Sequence, residues 1–454
     1  MADRCVRTPG TCLTFSTAPD SSPMQRASAT LLVTALSVMC GAVLAQNVDQ
    51  RKPTATTATT GSTSSAAAGK RGAAPSRAAA RPAVKDGEAE ARLIEIYKLA
   101  GQARGREALA KAERLVNDHP NFQLAQLVYG DLLAARSRPL RAPGDVSEGA
   151  AKAGASTLAE LRQESLMRLK ALRERPAPGT IPSQFLALSP RNKHAIAVDA
   201  SRARLYLFEN TATGLKLVSD YYISVGKSGI EKSVEGDSRT PLGIYFVTSN
   251  LDPKSLKDFY GSGALPINYP NALDLKRGKT GSGIWLHGTP PAQFSRAPQA
   301  SDGCVVLANP DLERIIRTVE VRTTPVVIAQ SLQWVAPHSI KADSKSFEEA
   351  LNSWHQAKSL GDLSTLTSLY SSDFNSYGKT RDDWTAQLRT EAGKQRGRTV
   401  QLKDVSYLRW TDSTDTMVVT FGEVLSGSRT GPVRRQYWMR QGKQWKIFFE
   451  GVVG

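Results

Sequence analysis

Gly283-Ile284-Trp285-Leu286-His287-Gly288-Thr289-Pro290-Pro291, followed by Ser301-Asp302-Gly303-Cys304-Val305-Val306-Leu307, is the stretch from which the rest of the 454-residue chain is read. Two short apolar runs, each bounded by glycine or proline, predict buried strands over 284–286 and 305–307. A histidine follows the first and a cysteine precedes the second, 17 residues apart and each beside a glycine. A free thiol, with a pKa of about 8.5, needs a base to become a thiolate at neutral pH. Imidazole, with a pKa of about 6.5, can take that proton and later return it. Gly303 lets the backbone approach a substrate, and the N–H groups of Gly303 and Cys304 are candidate donors to a tetrahedral oxyanion.

Upstream of this stretch the apolar period is two. Residues 194–199 and 204–208 predict a hairpin, with further strands over 217–225, 243–248 and 326–329. Asn309-Pro310 predicts a helix start, Asn as N-cap and Pro at the first helical position. The helix over 311–319 is the one clear helix in a small, mostly β, sandwich- or barrel-like domain.

Together with Val225-Gly226-Lys227 and Arg239-Thr240-Pro241-Leu242-Gly243, the histidine and cysteine segments resemble the L,D-transpeptidase (YkuD-type) catalytic domain over residues 191–330. The resemblance implies Cys304 as nucleophile and His287 as general base. It implies attack on the diaminopimelate carbonyl of a peptidoglycan tetrapeptide stem, with loss of the terminal D-Ala. The thioester would then pass to an amine of a neighbouring stem, to a lysine of an outer-membrane lipoprotein, or to water. No metal and no cofactor are implied. Two positions depart from the usual signature: Asp302 stands for a second histidine, and Val306 for an arginine. Alternatives on the same fold are an L,D-carboxypeptidase, a lipoprotein-releasing hydrolase, or a non-catalytic wall-binding protein.

Gly303, Ser301, Gly288 and Asp302 are the expected oxyanion and substrate-binding positions. Ser301 either orients the turn or caps it, and Asp302 either binds the diaminopimelate amine or is a solvated turn residue. The glycine-rich loop over 251–283 has the length of an active-site lid, with Tyr260 and Tyr269 either touching substrate or packing the loop. Trp285 reads as core.

The flanks complete a multidomain α+β architecture. Residues 88–175 have helical periodicity. Leu93, Ile96, Tyr97 and Ala100 form one face, and Ala108, Ala112, Leu115 and Val116 a second. A third helix begins near Phe122, and a fourth over 158–174 is expected to turn Leu161, Leu166, Leu169 and Leu172 inward. The first pair resembles a tetratricopeptide-like unit, with a plain helical hairpin as the alternative. After a polar linker over 331–344, residues 346–454 run helices first and then four strands. That pattern resembles a SnoaL-like, nuclear-transport-factor-like cone, expected to fold independently. Its Trp384, Trp410, Trp438 and Tyr377 line a pocket or are plain core.

The chain is 40% hydrophobic and 22% charged, with a formal net charge of +17. Zinc-finger spacings, ribonucleoprotein aromatics and basic blocks are missing, which argues against nucleic acid. A basic surface suits an anionic cell envelope. Gln25-Arg26, the apolar run 27–44 and the Val43-Leu44-Ala45 ending predict a secretory signal over 24–45, with Met24 as the start, cleaved after Ala45. The mature protein would then be periplasmic, without a stable membrane span, and residues 46–87 would form a disordered linker. Of Cys5, Cys12, Cys40 and Cys304, only Cys304 would survive cleavage, a lone thiol in an oxidising compartment.

Overall fold

The computed structural model describes residues 85–395 and 397–453. The expected signal over 24–45 and most of the linker lie outside them. The linker's last residues are a correction: Lys85–Asp86 form strand β1, parallel to Ser219 and Asp220 of the catalytic sheet. Asp86 is held there by ion pairs to Arg175 and Arg204.

Helices α1 (Glu88–Gly101), α2 (Gly105–Asp118) and α3 (Gln123–Ala134) pack through Leu93, Ile96, Leu99, Ala108, Ala112, Leu115, Phe122 and Ala125. Leu99 takes the place expected for Ala100, which is exposed. Short α4 (Glu148–Ala153) leads into α5 (Ala155–Arg173). Here the leucine face predicted from spacing holds only in part: Leu161 packs on the helical core, and Leu169 and Leu172 are half-buried. Leu166 is 52% exposed, and the buried face carries Glu164, Ser165, Arg168 and Ala171.

The reason is ionic. Arg168 reaches Glu164 at 2.6 Å on its own helix and Glu90 of α1 at 2.8 Å. Glu90 in turn chelates Arg204 of the sheet at 2.7 and 2.8 Å, and Arg204 pairs with Asp220 at 2.5 Å. A buried charge is tolerated only when paired and hydrogen-bonded. This chain therefore sets the rotation of α5 in preference to its leucines.

Strands β2 (Ile181–Pro182) and β3 (Phe185–Ala187) precede the catalytic sheet proper. The predicted hairpin is β4 (His194–Asp199) with β5 (Arg204–Thr211), followed by the long β6 (Gly214–Gly226) and then β7 (Gly243–Phe246). The loop that follows holds β8 (Ala264–Pro266) and α6 (Ala272–Lys276), a helix the sequence reading missed although Asn271 and Asp274 form its capping box. Then come β9 (Trp285–His287), β10 (Gln299–Ser301), β11 (Val305–Leu307), α7 (Asn309–Thr318) and β12 (Pro325–Ala329). The sheet order is β7-β12-β4-β5-β6-β11-β9-β8, with β1 and β10 also on β6. Strand β6 pairs with β5 along its first part and with β11 and β10 at its end, which curls the sheet around a core of Ile196, Leu205, Ile223, Leu286 and Val305.

The linker expected over 331–344 is ordered structure: β13 (Trp334–Val335) pairs with β2, and α8 (Ile340–Leu360) starts before residue 346. Apolar Leu332 and Ile340 are buried there, and they anchor the segment. Helix α9 (Leu363–Leu369), strands β14 (Asn375–Ser376) and β15 (Lys379–Thr380), and α10 (Arg381–Gln395) follow. The closing sheet runs β16 (Val400–Thr411), β17 (Asp415–Leu425), β18 (Val433–Gln441) and β19 (Gln444–Val452), in order β19-β18-β17-β16-β3. Its inner face packs Trp438, Phe421 and Ile447 on Phe347 and Trp354 of α8. Its outer face buries Leu408, Trp410, Val418 and Tyr437 with Tyr206, Phe208 and Phe246 of the catalytic sheet. The C-terminal unit expected to stand alone thus takes its edge strand, β3, from elsewhere and shares an apolar layer with the preceding sheet. Among the described residues, no helix is long and apolar enough to cross a membrane.

Replacing Arg168 by alanine leaves two buried glutamates short of their shared partner and is expected to cost about 3–5 kcal/mol. Leu166→Ala, on the exposed face, should stay within about 0.5 kcal/mol. Chemical denaturation of both variants checks the ranking; had the leucines faced inward, it would be reversed.

Candidate active site

Parallel pairing of β9 and β11 places Val305 opposite Leu286 and Val306 opposite His287. Cys304 sits immediately before β11, level with Trp285 at the start of β9, and His287 closes β9 two residues further along, so thiol and imidazole are carried by neighbouring strands. The turn carrying the thiol is held by Ser301, whose hydroxyl donates to the Cys304 carbonyl at 2.6 Å and accepts from the Gly303 N–H at 3.1 Å. Ser301 therefore orients the turn, and the Gly303 N–H is engaged inside it. Gly303 has φ +121°, and a Cβ there would lie 2.7 Å from the Arg239 carbonyl oxygen. No L side chain fits. Thr240, fully buried, donates to the Gly303 carbonyl at 2.9 Å and accepts from the Gly226 N–H at 2.8 Å. One hydroxyl thus ties the Arg239-Thr240-Pro241 segment to both the cysteine turn and the end of β6.

His287 is 1% exposed, and its Nδ1 lies 2.7 Å from the Gly288 carbonyl oxygen. A carbonyl can only accept, so Nδ1 carries the proton and Nε2 is the basic nitrogen. Tyr260 meets the imidazole edge-on at 5.1 Å between ring centroids, and Phe259 lies at 5.8 Å. The backbone beyond the histidine is pinned by Asn309. Its Oδ1 accepts from the N–H groups of Ser262 and Thr289 at 3.0 and 3.1 Å, and its Nδ2 donates to the Thr289 carbonyl at 2.9 Å. Asn309 is consequently not the N-cap expected from its Pro310 neighbour; Ala308 takes that place, and Asn309 is the first helical residue. Gly288 is required by the same contact, since a Cβ would fall 2.0 Å from the Asn309 Oδ1.

Burial governs the electrostatics. It pushes the Cys304 thiol up to about 11, against a contact from the Trp285 N–H and the charges of Arg296 and Lys232. It brings His287 down to about 4, against the Gly288 hydrogen bond. The free site thus holds a neutral thiol and a neutral imidazole at pH 7, not an ion pair. The thiol donates to the Gly283 carbonyl at 3.5 Å.

The other expected positions divide clearly. Asp302 is exposed and pairs with Lys227 at 2.6 Å, the contact of a solvated turn residue. Tyr269 is buried, donates to the Thr280 carbonyl at 3.0 Å and packs the loop, whereas Tyr260 lies against Trp285 and His287. Trp285 is half-buried on Tyr260, outside the apolar core. Trp384, Trp410 and Trp438 are core, and Tyr377 is 80% exposed. Two residues beside the site went unnoticed in the sequence: Phe259, and Arg296, whose guanidinium stacks on the Phe259 ring at 4.5 Å. Nothing in their spacing marks them.

Residues 193–328 match the family described as the YkuD L,D-transpeptidase catalytic domain. Residues 346–451 match the Cds6 C-terminal NTF2-like domain. The chain contains both. No curated protein matches it. Among solved structures, Bd1075 of Bdellovibrio bacteriovorus is similar at TM-score 0.52 and 24% identity, over 60% of this chain and 98% of that one. Pgp2, a helical cell shape determining protein of Campylobacter jejuni, gives 0.48 and 19% over 64% and 99%. An NTF2-like protein of unknown function from Pseudomonas putida gives 0.22 and 16% over 25% and 86%. At these identities the likeness to Bd1075 is one of fold.

A half-buried neutral thiol makes a testable signature. Iodoacetamide labelling of Cys304 in the free protein should accelerate with pH throughout the alkaline range, levelling only near about 11. A rate already flat at neutral pH would instead report a thiolate–imidazolium pair. Asn309→Ala, which leaves two N–H donors without their acceptor, should cost about 1–3 kcal/mol of stability, read by thermal unfolding.

Proposed function

We propose that the chain is a periplasmic peptidoglycan enzyme of the L,D-transpeptidase type, with Cys304 as nucleophile and His287 as general base. The observation that carries this reading is the pairing of β9 with β11. It puts the only cysteine among the described residues on the strand next to that of a histidine whose proton is held on Nδ1. The matched catalytic domain supplies the substrate class, peptidoglycan.

The steps follow from the resting charges. With both groups neutral, attack and proton transfer are coupled: the sulfur adds to the carbonyl carbon of the third stem residue as its proton passes to His287 Nε2. The carbonyl oxygen becomes an oxyanion. The Gly303 N–H is engaged by Ser301, which leaves the Cys304 N–H as the turn's donor to it. Collapse breaks the C–N bond, His287 returns its proton to the leaving amine of D-Ala, and a thioester remains on Cys304. In the second half an acceptor amine adds to the thioester, gives its proton to His287, and releases the thiol. Desolvation serves both halves, because a thiolate formed only beside its base is not exposed to oxidants in between.

Incubation with a disaccharide-tetrapeptide should release D-Ala. Cys304→Ala is expected to abolish release with the fold intact by circular dichroism, and His287→Ala to slow it by roughly 10²–10⁴-fold. D-Ala release by Cys304→Ala at the wild-type rate would end the nucleophile assignment.

A further inference from the structure

We infer that Arg296 is the anchor for the free carboxylate of the residue that leaves, and so the determinant of a C-terminal acid at that position. The inference rests on the reading of Cys304 and His287 given above. The two cations whose charge acts on the Cys304 sulfur are Arg296 and Lys232. Lys232 is committed elsewhere: its Nζ binds Asp237 at 2.8 Å and the Val234 carbonyl at 2.9 Å. Asp302, the nearest carboxylate on the thiol's turn, is paired with Lys227. Among the described residues no ion pair engages Arg296, although its guanidinium is partly desolvated and lies over the Phe259 ring, 4.5 Å from its centroid. A planar cation on an aromatic face, its N–H edge unoccupied, is a ready bidentate receptor for a carboxylate.

The position of that receptor is built by the loop's anchors. Phe294 is buried in the helical layer, stacked on Phe122 at 4.2 Å, and its N–H donates to the Asn121 carbonyl at 3.1 Å. Ser295 donates to Glu164 at 2.7 Å. Tyr222 donates to the Arg296 carbonyl at 2.8 Å, and Val225 N–H to the Pro298 carbonyl at 2.9 Å. Held on both sides, Arg296 extends to the Phe259 ring, which itself lies beside His287.

The direction of the substrate follows from the base. His287 must reach the leaving nitrogen to protonate it, so the leaving residue lies on the histidine side of the scissile bond. The carboxyl carbon of that residue is only roughly 2.5 Å from the nitrogen by standard bond lengths and angles. The carboxylate is therefore confined to the neighbourhood of His287, where the Phe259–Arg296 stack is. A stem already trimmed by one residue, or amidated at this end, would leave the guanidinium unpaired.

The test compares tetrapeptide stems ending in D-alanine and in D-alaninamide, with release of the terminal residue followed by mass spectrometry. Wild-type protein should favour the free acid in kcat/KM by about 10- to 100-fold, the range of a charge-assisted hydrogen-bonded pair. Arg296→Gln should bring the acid-to-amide ratio of kcat/KM close to one, and Arg296→Lys should keep part of the preference. Equal losses on both substrates, or an unchanged acid preference in Arg296→Gln, would overturn the anchor and leave the transpeptidase reading standing. No release of either product by wild-type protein would overturn the transpeptidase reading, and the anchor with it.

Discussion

Glu90, Arg168, Arg204 and Asp220 are each 3% exposed or less, and their mutual pairing is the constraint on which the arrangement of the catalytic half depends. Removing four charges from water is unfavourable by several kcal/mol each, and only close, hydrogen-bonded partners offset it. The geometry is correspondingly exacting. Arg204 meets both oxygens of Glu90 with one Nη and Asp220 with the other. Arg168 bridges Glu90 and Glu164 while lying over the Tyr222 ring at 4.0 Å. Burial pushes Asp220 up to about 7 against the charge of Arg204, while the neighbouring Asp86 is lowered by its partners. Apolar faces could slide over one another at little cost, but directional pairs of this kind cannot.

From that chain a line of contacts runs to the chemistry. Glu164 accepts from Ser295, and Tyr222 holds the next carbonyl, so the segment between His287 and Cys304 is fastened to the helical layer. The helices thus anchor the loop between the histidine and the cysteine. The C-terminal sheet is fastened from the other side, through an edge strand borrowed from residues ahead of the catalytic domain and an apolar layer common to both. Within the described residues, three sequence segments form one packed body.

Within the site, burial and hydrogen bonding act in opposite directions on the same two groups. Burial keeps sulfur and imidazole neutral, which lowers the reactivity of the thiol at neutral pH. Hydrogen bonding fixes their orientation in advance, through Gly288 and Asn309 for the base and Ser301 and Thr240 for the thiol's turn. The two glycines at 288 and 303 are there because neighbouring oxygens leave no room for a Cβ.

How much of this was legible in the sequence depends on the range of the interaction involved. Alternating apolar residues placed the β4–β5 hairpin, short apolar runs placed β9, β11 and β12 nearly to the residue, and helical spacing placed α1, α2 and α3, because those patterns record burial along one element. The histidine, the cysteine and their glycines were legible because the demands of the chemistry are local to a few residues of chain. The rotation of α5 was not: its leucines are the stronger local signal, and only Glu90 and Arg204, distant in sequence, outweigh them. Asn309 reads as a helix cap because its neighbour is proline, whereas its amide serves loop backbones about 20 and 47 residues earlier. Arg296 carried no signal at all, since a charged residue in a loop is ordinarily solvated. By itself the sequence determined the elements, the nucleophile and base candidates, and the order of domains. The tertiary structure decided the protonation of those groups, the anchoring of their loop and the sharing of one core between the last two domains. Burial, and the pairing of charges that it enforces, arise only when segments far apart in the chain meet.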